Sequence, residues 1–226
     1  MKKYVLFDFA DTIAELVPSR EKIINDFIFS NSRIKIDEEL ISKAYLQVST
    51  SMPYSSVITR TNEQRLAYYE EFNRAMFINL GILHKVDPKD LINNFQKTKA
   101  HWILKVGVTD LFLKLKNLEY KIGILSNFDT RLSEIINNNL RINNYIDFMH
   151  ISQSEYLEKP NILFYESFFS KNAIKIEESI YIGDSYFLDY LPANKLNLTC
   201  FLLDEKNNYP FVNNRIQSLD EIMIHL

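Results

Sequence analysis

Residues 4–12 read Tyr4-Val5-Leu6-Phe7-Asp8-Phe9-Ala10-Asp11-Thr12. An unbroken apolar run of this length fits a strand buried on both faces, the kind found in parallel sheets. A carboxylate ends the run at Asp8, and Asp11 and Thr12 follow at once. The pattern then turns helical. Ser19 can cap a helix over 20–29, and Asp37 one over 38–48. Thr61-Asn62-Glu63-Gln64 is a capping box before a helix over 65–80, with Gly81 suited to the position after its end. Asp87-Pro88 places a cap before Pro at the first helical position, opening a helix to about 100. Residues 15–100 therefore predict about four helices and no strand.

From about residue 106 strands and helices alternate. Strands are expected over 120–125, 148–151, 180–182 and 199–203. Helices are expected over 110–118, 130–140, 161–170 and 187–196. Such alternation indicates βαβ units and a parallel sheet. The first strand stands apart from this run, so the expected architecture is an interrupted α/β fold. A Rossmann-like core of residues 1–14 and 101–226 holds a parallel sheet flanked by helices. An all-helical insertion, 15–100, divides it.

Composition narrows the function. Only 4 of 226 residues are Gly, against roughly 16 at average usage. Neither a G-x-G-x-x-G dinucleotide fingerprint nor a P-loop is present. A phosphate ligand would need another device. Lys plus Arg is 26 and Asp plus Glu is 29, for a net charge of -3, which gives no electrostatic case for nucleic acid or an anionic membrane. The apolar run after Met1-Lys2-Lys3 stops at Asp8, too short for a signal peptide, and no stretch reaches the ~20 apolar residues of a membrane span. With a single cysteine, Cys200, a reducing, cytoplasmic setting is expected.

In open parallel sheets ligands sit beyond the carboxyl ends of the strands. The residues there are Asp8, Ala10, Asp11 and Thr12, then Ser126 and Asn127, then Gly183, Asp184, Ser185 and Asp189. Lys159-Pro160 falls in a loop before a helix. Carboxylates gathered on one rim repel each other, and a divalent cation resolves the conflict. Oxygen ligands suit Mg2+. A carboxylate beside the ion can attack a phosphoryl group, while hydroxyls and a lysine neutralise its oxygens. Plainer readings accompany some of these residues: Asp189 also suits a helix N-terminus. Cys200 in an apolar strand reads as a buried inert thiol. His84, His101, His150 and His225 lie outside the rim set.

These residues resemble the motifs of haloacid dehalogenase-like (HAD) hydrolases. Asp8-Phe9-Ala10-Asp11-Thr12 is similar to the first motif, D-x-D-x-T. The strand ending Leu125-Ser126-Asn127 is similar to the second, Lys159-Pro160 to the third, and Gly183-Asp184 through Asp189 to the fourth. The helical insertion is similar to the C1 cap of subfamily I. The resemblance implies a phosphatase-type hydrolase acting on a small phosphorylated metabolite. Asp8 is then the nucleophile. Asp8, the Ala10 carbonyl, Asp184 and Asp189 bind Mg2+. Thr12, Ser126, Asn127 and Lys159 bind the phosphoryl group, Lys159 also balancing charge in catalysis. Substrate contacts in the cap would come from Arg20, Tyr54, Arg60 and Arg65. A monomer or homodimer is expected.

Ala10 departs from the family pattern. Phosphatases carry Asp there, as general acid and then general base, and the neighbouring Asp11 stands where Gly is usual. General acid–base help is worth roughly 10²–10⁴-fold, so turnover should be impaired. Three readings stay open: an engineered replacement of Asp at position 10, a natural Ala as in C–P bond hydrolases with a Schiff-base cap lysine, or a non-catalytic binding or regulatory relative. Lys43 is the one lysine in the second cap helix for the C–P reading.

Overall fold

The computed structural model describes residues 2–52 and 61–226. The chain divides into two compact units. Among the described residues one comprises 2–15 and 102–226, the other 16–52 and 61–101.

The elements follow in chain order. Strand β1 (Tyr4–Phe7) and β2 (Ala14–Val17) precede helices α1 (Arg20–Ser32), α2 (Glu38–Ser51), α3 (Asn62–Asn79) and α4 (Pro88–Lys97). Next come β3 (His101–Leu104), α5 (Val108–Asn117), β4 (Lys121–Ser126) and α6 (Arg131–Glu134). The chain continues through β5 (Phe148–Ile151), α7 (Ser152–Glu155), α8 (Ile162–Lys171) and β6 (Ser179–Gly183). Then come α9 (Leu191–Lys195), β7 (Thr199–Leu203) and β8 (Arg215–Ile216), followed by a 3-10 helix over Leu219–Ile224.

The larger sheet has the order β5-β4-β1-β6-β7-β8, with every pairing parallel. Its faces are both covered, as a parallel sheet requires. Val5, Phe7, Ile122, Ile124, Ile180 and Ile182 pack with Val108, Leu111, Phe112 and Leu115 of α5. Leu6, Leu125 and Tyr181, pointing the other way, pack with Phe164, Tyr165 and Phe168 of α8. The alternation along β1 is thus apolar on both sides, which is why the sequence shows a continuous run. Phe7 lies level with Ile124 on one neighbour and Ile182 on the other. Asp8, Ser126 and Asp184 therefore leave the sheet along one edge.

The helical unit has its own apolar interior, with Ile24, Phe27, Ile28, Ile41, Val48, Phe72, Met76, Phe77 and Leu91 in contact. Its helices begin as their caps dictate. Ser19 accepts the Lys22 N–H, Asp37 that of Glu39 and Asp87 that of Lys89. Thr61 and Gln64 complete the capping box, and Gly81 follows α3 at φ +69°.

The structure adds strands that the pattern does not announce. Short β2 and β3 form a two-stranded sheet, so the segment expected to be purely helical begins with a strand. At four residues each, they are too short to show a period of their own. Two-residue β8 extends the main sheet. The helices expected over 130–140 and 187–196 are each interrupted: α6 passes into a π-helical turn over 135–140, and another π-helical turn over 186–190 precedes α9.

Candidate metal and phosphoryl site

The carboxyl edge of β1, β4 and β6 concentrates the charged residues. Asp8 follows β1 directly, its N–H bonded to the Ile182 carbonyl at 2.8 Å. Asp184 follows β6. Asp189 is returned to the same place by the turn over 186–190, in which Asp189 N–H reaches the Ser185 carbonyl at 3.0 Å and Tyr190 N–H reaches it at 3.1 Å. One carboxylate oxygen from each of Asp8, Asp184 and Asp189 lies within 4.8 Å of the others. Asp8 and Asp189 are buried.

Lys159 enters between them. Its ammonium donates to Asp8 Oδ1 at 2.6 Å, to Asp189 Oδ1 at 2.7 Å and to the Tyr181 hydroxyl at 3.1 Å. An ammonium has three N–H donors, and these three acceptors match them. Tyr181 in turn donates to Asp189 Oδ1 at 2.6 Å. The other Asp189 oxygen accepts the Ser185 N–H at 3.0 Å. Buried polar groups need such full pairing, since an unpaired one costs about 1–3 kcal/mol.

The electrostatics follow from burial. Burial pushes the Asp8 carboxyl up to about 6; Lys159 pulls it down and Asp189 raises it further. Burial also raises Asp184 well above the carboxylate range, with the charges of Asp8, Asp11 and Asp189 adding to it. Lys159 is held above its ordinary value: burial opposes the charge, and Asp189 and Asp8 outweigh it. One ammonium thus faces three carboxyls. A bound divalent cation would favour their ionised forms, and an all-oxygen donor set suits a hard ion. The residues present fit such a metal.

Thr12 braces the first and last motifs together. Its hydroxyl accepts the Asp184 N–H at 3.0 Å and lies 3.3 Å from Asp184 Oδ1 and 3.5 Å from Asp8 Oδ2. Ser126 is buried at the end of β4. Asn127, placed by its motif among phosphoryl ligands, has both ends of its amide engaged by the Lys159 peptide. It accepts the Lys159 N–H at 2.8 Å and donates to the Lys159 carbonyl at 2.9 Å. It therefore positions the lysine. Ala10 is half-buried against the sheet core, and Asp11 has φ 60°, a backbone region that Gly occupies freely and Asp tolerates.

Gly183 has a steric reason. A Cβ there would lie 2.4 Å from Asp189 Cγ, so the return of Asp189 to the rim requires glycine. Tyr181 is the participant that the sequence hides, because an aromatic residue in a buried strand reads as core. The hydroxyl's partners come from sequence positions 8 and 22 residues away.

The proposed cap contacts are placed unevenly. The Arg20 guanidinium lies over the Tyr45 ring at 3.9 Å and pairs with Glu21 at 3.1 Å. Arg65 is half-buried in the first turn of α3. Tyr54 and Arg60 lie outside the described residues.

A parallel sheet interrupted in the sequence by a helical unit, with a rim of three carboxylates and a lysine, defines an α/β protein with a metal-compatible site. Residues 5–203 match the family model for haloacid dehalogenase-like hydrolases, and the chain belongs to that family. It is 30% identical over 134 residues to the rhythmically expressed gene 2 protein of Drosophila melanogaster, covering 53% of this chain and 51% of that one. It is 26% identical over 118 residues to haloacid dehalogenase-like hydrolase domain-containing protein 3 of Xenopus laevis, covering 52% and 48%. The matches thus span about half the length of these curated relatives. Among solved structures, the Bacillus subtilis HAD-hydrolase YfnB bound to magnesium superposes with a TM-score of 0.72 at 15% identity, over 100% of this chain and 99% of that one. A HAD phosphatase of Thermococcus onnurineus gives 0.58 at 16%, over 100% and 97%. At these identities the structural likeness establishes the fold. No helix among the described residues is long and apolar enough to cross a membrane.

Proposed function

We propose that the chain is a Mg2+-dependent phosphohydrolase of a small phosphorylated metabolite, with Asp8 as nucleophile and catalysis slowed by Ala10. The observation that carries this reading is the cluster of Asp8, Asp184 and Asp189 with Lys159 bridging Asp8 and Asp189. Asp8, Asp184 and Asp189, with the Ala10 carbonyl, would hold the metal. When bound, the ion supplies Lewis-acid polarisation of the phosphoryl oxygens. Asp8 attacks phosphorus, the bond to the leaving oxygen breaks, and an aspartyl phosphate forms on Asp8. Lys159, Thr12 and Ser126 balance the charge on the transferred group. Water then cleaves the aspartyl phosphate. Both steps lack the acid and base that an Asp at position 10 would provide.

A phosphate-release assay on Ala10→Asp, across a panel of phosphorylated metabolites with Mg2+, tests the reading. Turnover about 10²–10⁴-fold above the unaltered chain is expected. No turnover on any substrate would leave the alternative that Ala10 itself favours, a non-catalytic binding protein. C–P bond hydrolysis through a Schiff base has less support. Lys43 is exposed and paired with Glu39 at 2.7 Å, an arrangement that raises the pKa of its amine, whereas Schiff-base chemistry needs a neutral amine.

A further inference from the structure

The loop after β7 carries aromatic side chains that the reaction above leaves unused. It opens at Asp204, a buried carboxylate that accepts the N–H groups of Asn208 at 2.7 Å and Tyr209 at 2.8 Å and pairs with Arg215 at 3.2 Å. β7 is the neighbour of β6 in the sheet and runs parallel to it, so this loop leaves by the same edge as Asp184. The Tyr209 ring stacks on Tyr186 with centroids 5.1 Å apart and planes 15° from parallel. Tyr186 stacks on Tyr190 at 5.7 Å and 19°. Phe211, 67% exposed, stands edge-on to Tyr186 at 5.7 Å and to Tyr209 at 6.1 Å. The column is tied to the rim, since Tyr186 lies just two residues after Asp184. Burial, then the charges of Asp204 and Asp184, pushes the Tyr209 phenol up to about 12.

We propose that Tyr209 and Phe211, supported by the tyrosine column, form a specificity site for the leaving group of the phosphoester, and that the group recognised is a flat aromatic ring. The proposal rests on the phosphohydrolase reading. A phosphoryl group held among Asp8, Asp184 and Lys159 leaves the rest of its ester to extend past the loops of this edge. Aromatic faces and edges reward a planar π-system beyond the apolar area it buries, through the ring quadrupole. A saturated ring of the same size gains only the area.

The test compares benzyl with cyclohexylmethyl compounds, which match in size and in the type of leaving alcohol but differ in planarity. The unaltered chain with Mg2+ is titrated calorimetrically with benzylphosphonate and with cyclohexylmethylphosphonate, so that no turnover is needed. The expected result is at least about fivefold tighter binding of the benzyl compound. That ratio should fall toward one in Tyr209→Ala and in Phe211→Ala. Because Phe211 is exposed, its truncation leaves the fold intact, and a merely structural role would weaken both compounds alike without changing their ratio. Equal affinities in the unaltered chain, no binding of either compound, or a ratio retained in both variants overturns the proposal. Hydrolysis of benzyl and cyclohexylmethyl phosphate by Ala10→Asp is read separately. Turnover without ring preference removes the aromatic site and keeps the hydrolase. Ring preference in binding without any turnover removes the hydrolase, and with it the role as leaving-group site.

Discussion

Lys159 shows how a buried cation is held. Its three donors meet Asp8, Asp189 and the Tyr181 hydroxyl, while its own peptide is clamped by Asn127. Tyr181 contributes a dipole without a charge, donating to Asp189 and accepting from Lys159. Tyr181→Phe keeps the ring volume and deletes both bonds, so it should cost about 1–3 kcal/mol of stability, read as a lower Tm in thermal unfolding. A Tm equal to that of the unaltered chain would show that the hydroxyl is not needed there. Gly183→Ala acts through space: the new Cβ would lie 2.4 Å from Asp189 Cγ and push that carboxylate off the rim. Calorimetric titration should show Mg2+ affinity falling by about 10–100-fold, the size typical of disturbing groups that orient metal ligands.

The elements were legible in the sequence to the extent that their residues carried a period or a cap. β1 and β7 stand out as apolar runs, and α1 to α4 start where Ser19, Asp37, Thr61 and Asp87 say they should. The four motif segments were readable because each ends a strand or opens a helix. The turn over 186–190 was not, since an i→i+5 bond from Tyr190 to Ser185 leaves no mark on a 3.6-residue pattern. That turn brings Asp189 back beneath Gly183, and π-turns recur at functional sites for this kind of reason. Tyr181 was hidden for another reason. Strand periodicity reports which face a side chain takes and says nothing of a hydroxyl at its tip. The pairing of β5 with α8 also holds a group that sequence pattern treats as neutral. His150 is buried, with Nε2 2.8 Å from the Phe164 carbonyl and 3.0 Å from Ser167 Oγ, and Nδ1 3.5 Å from Glu155. Burial lowers its pKa; Glu155 and the Phe164 carbonyl raise it, and Lys171 lowers it further. The unfolded chain therefore binds a proton near the ordinary value of 6.5 that the folded chain refuses. Its contribution to stability is full above that pH and declines as pH falls below it. Asp8 and Asp184, whose pKa values burial raises, act in the opposite direction over the same range, so His150 is read by difference: between pH 7.5 and 5.5 the Tm of the unaltered chain should fall relative to that of His150→Gln. An unchanged difference would place the effect elsewhere.

At the scale of the molecule, two compact units divide the chain, and the parallel sheet of one brings together charges that are distant in sequence. Lys159 and Asp8 are 151 residues apart and 2.6 Å apart in space. The family motifs made the sheet and its rim readable, and the same motifs exposed the departure at Ala10. On the proposed function Asp8 is a nucleophile whose reaction lacks only the proton-transfer group at position 10. Such a site has a particular failing. An ester with a good leaving group, such as p-nitrophenyl phosphate, needs no general acid for the first step, but water still needs a base for the second. The phosphoryl group should then accumulate on Asp8. The decisive measurement is intact-protein and peptide mass spectrometry of the unaltered chain after incubation with Mg2+ and p-nitrophenyl phosphate. The expected result is a gain of one phosphoryl group located at Asp8, absent from Asp8→Asn and from samples with the metal chelated, and discharged in Ala10→Asp. No phosphorylation of Asp8, together with no turnover by Ala10→Asp, would contradict it.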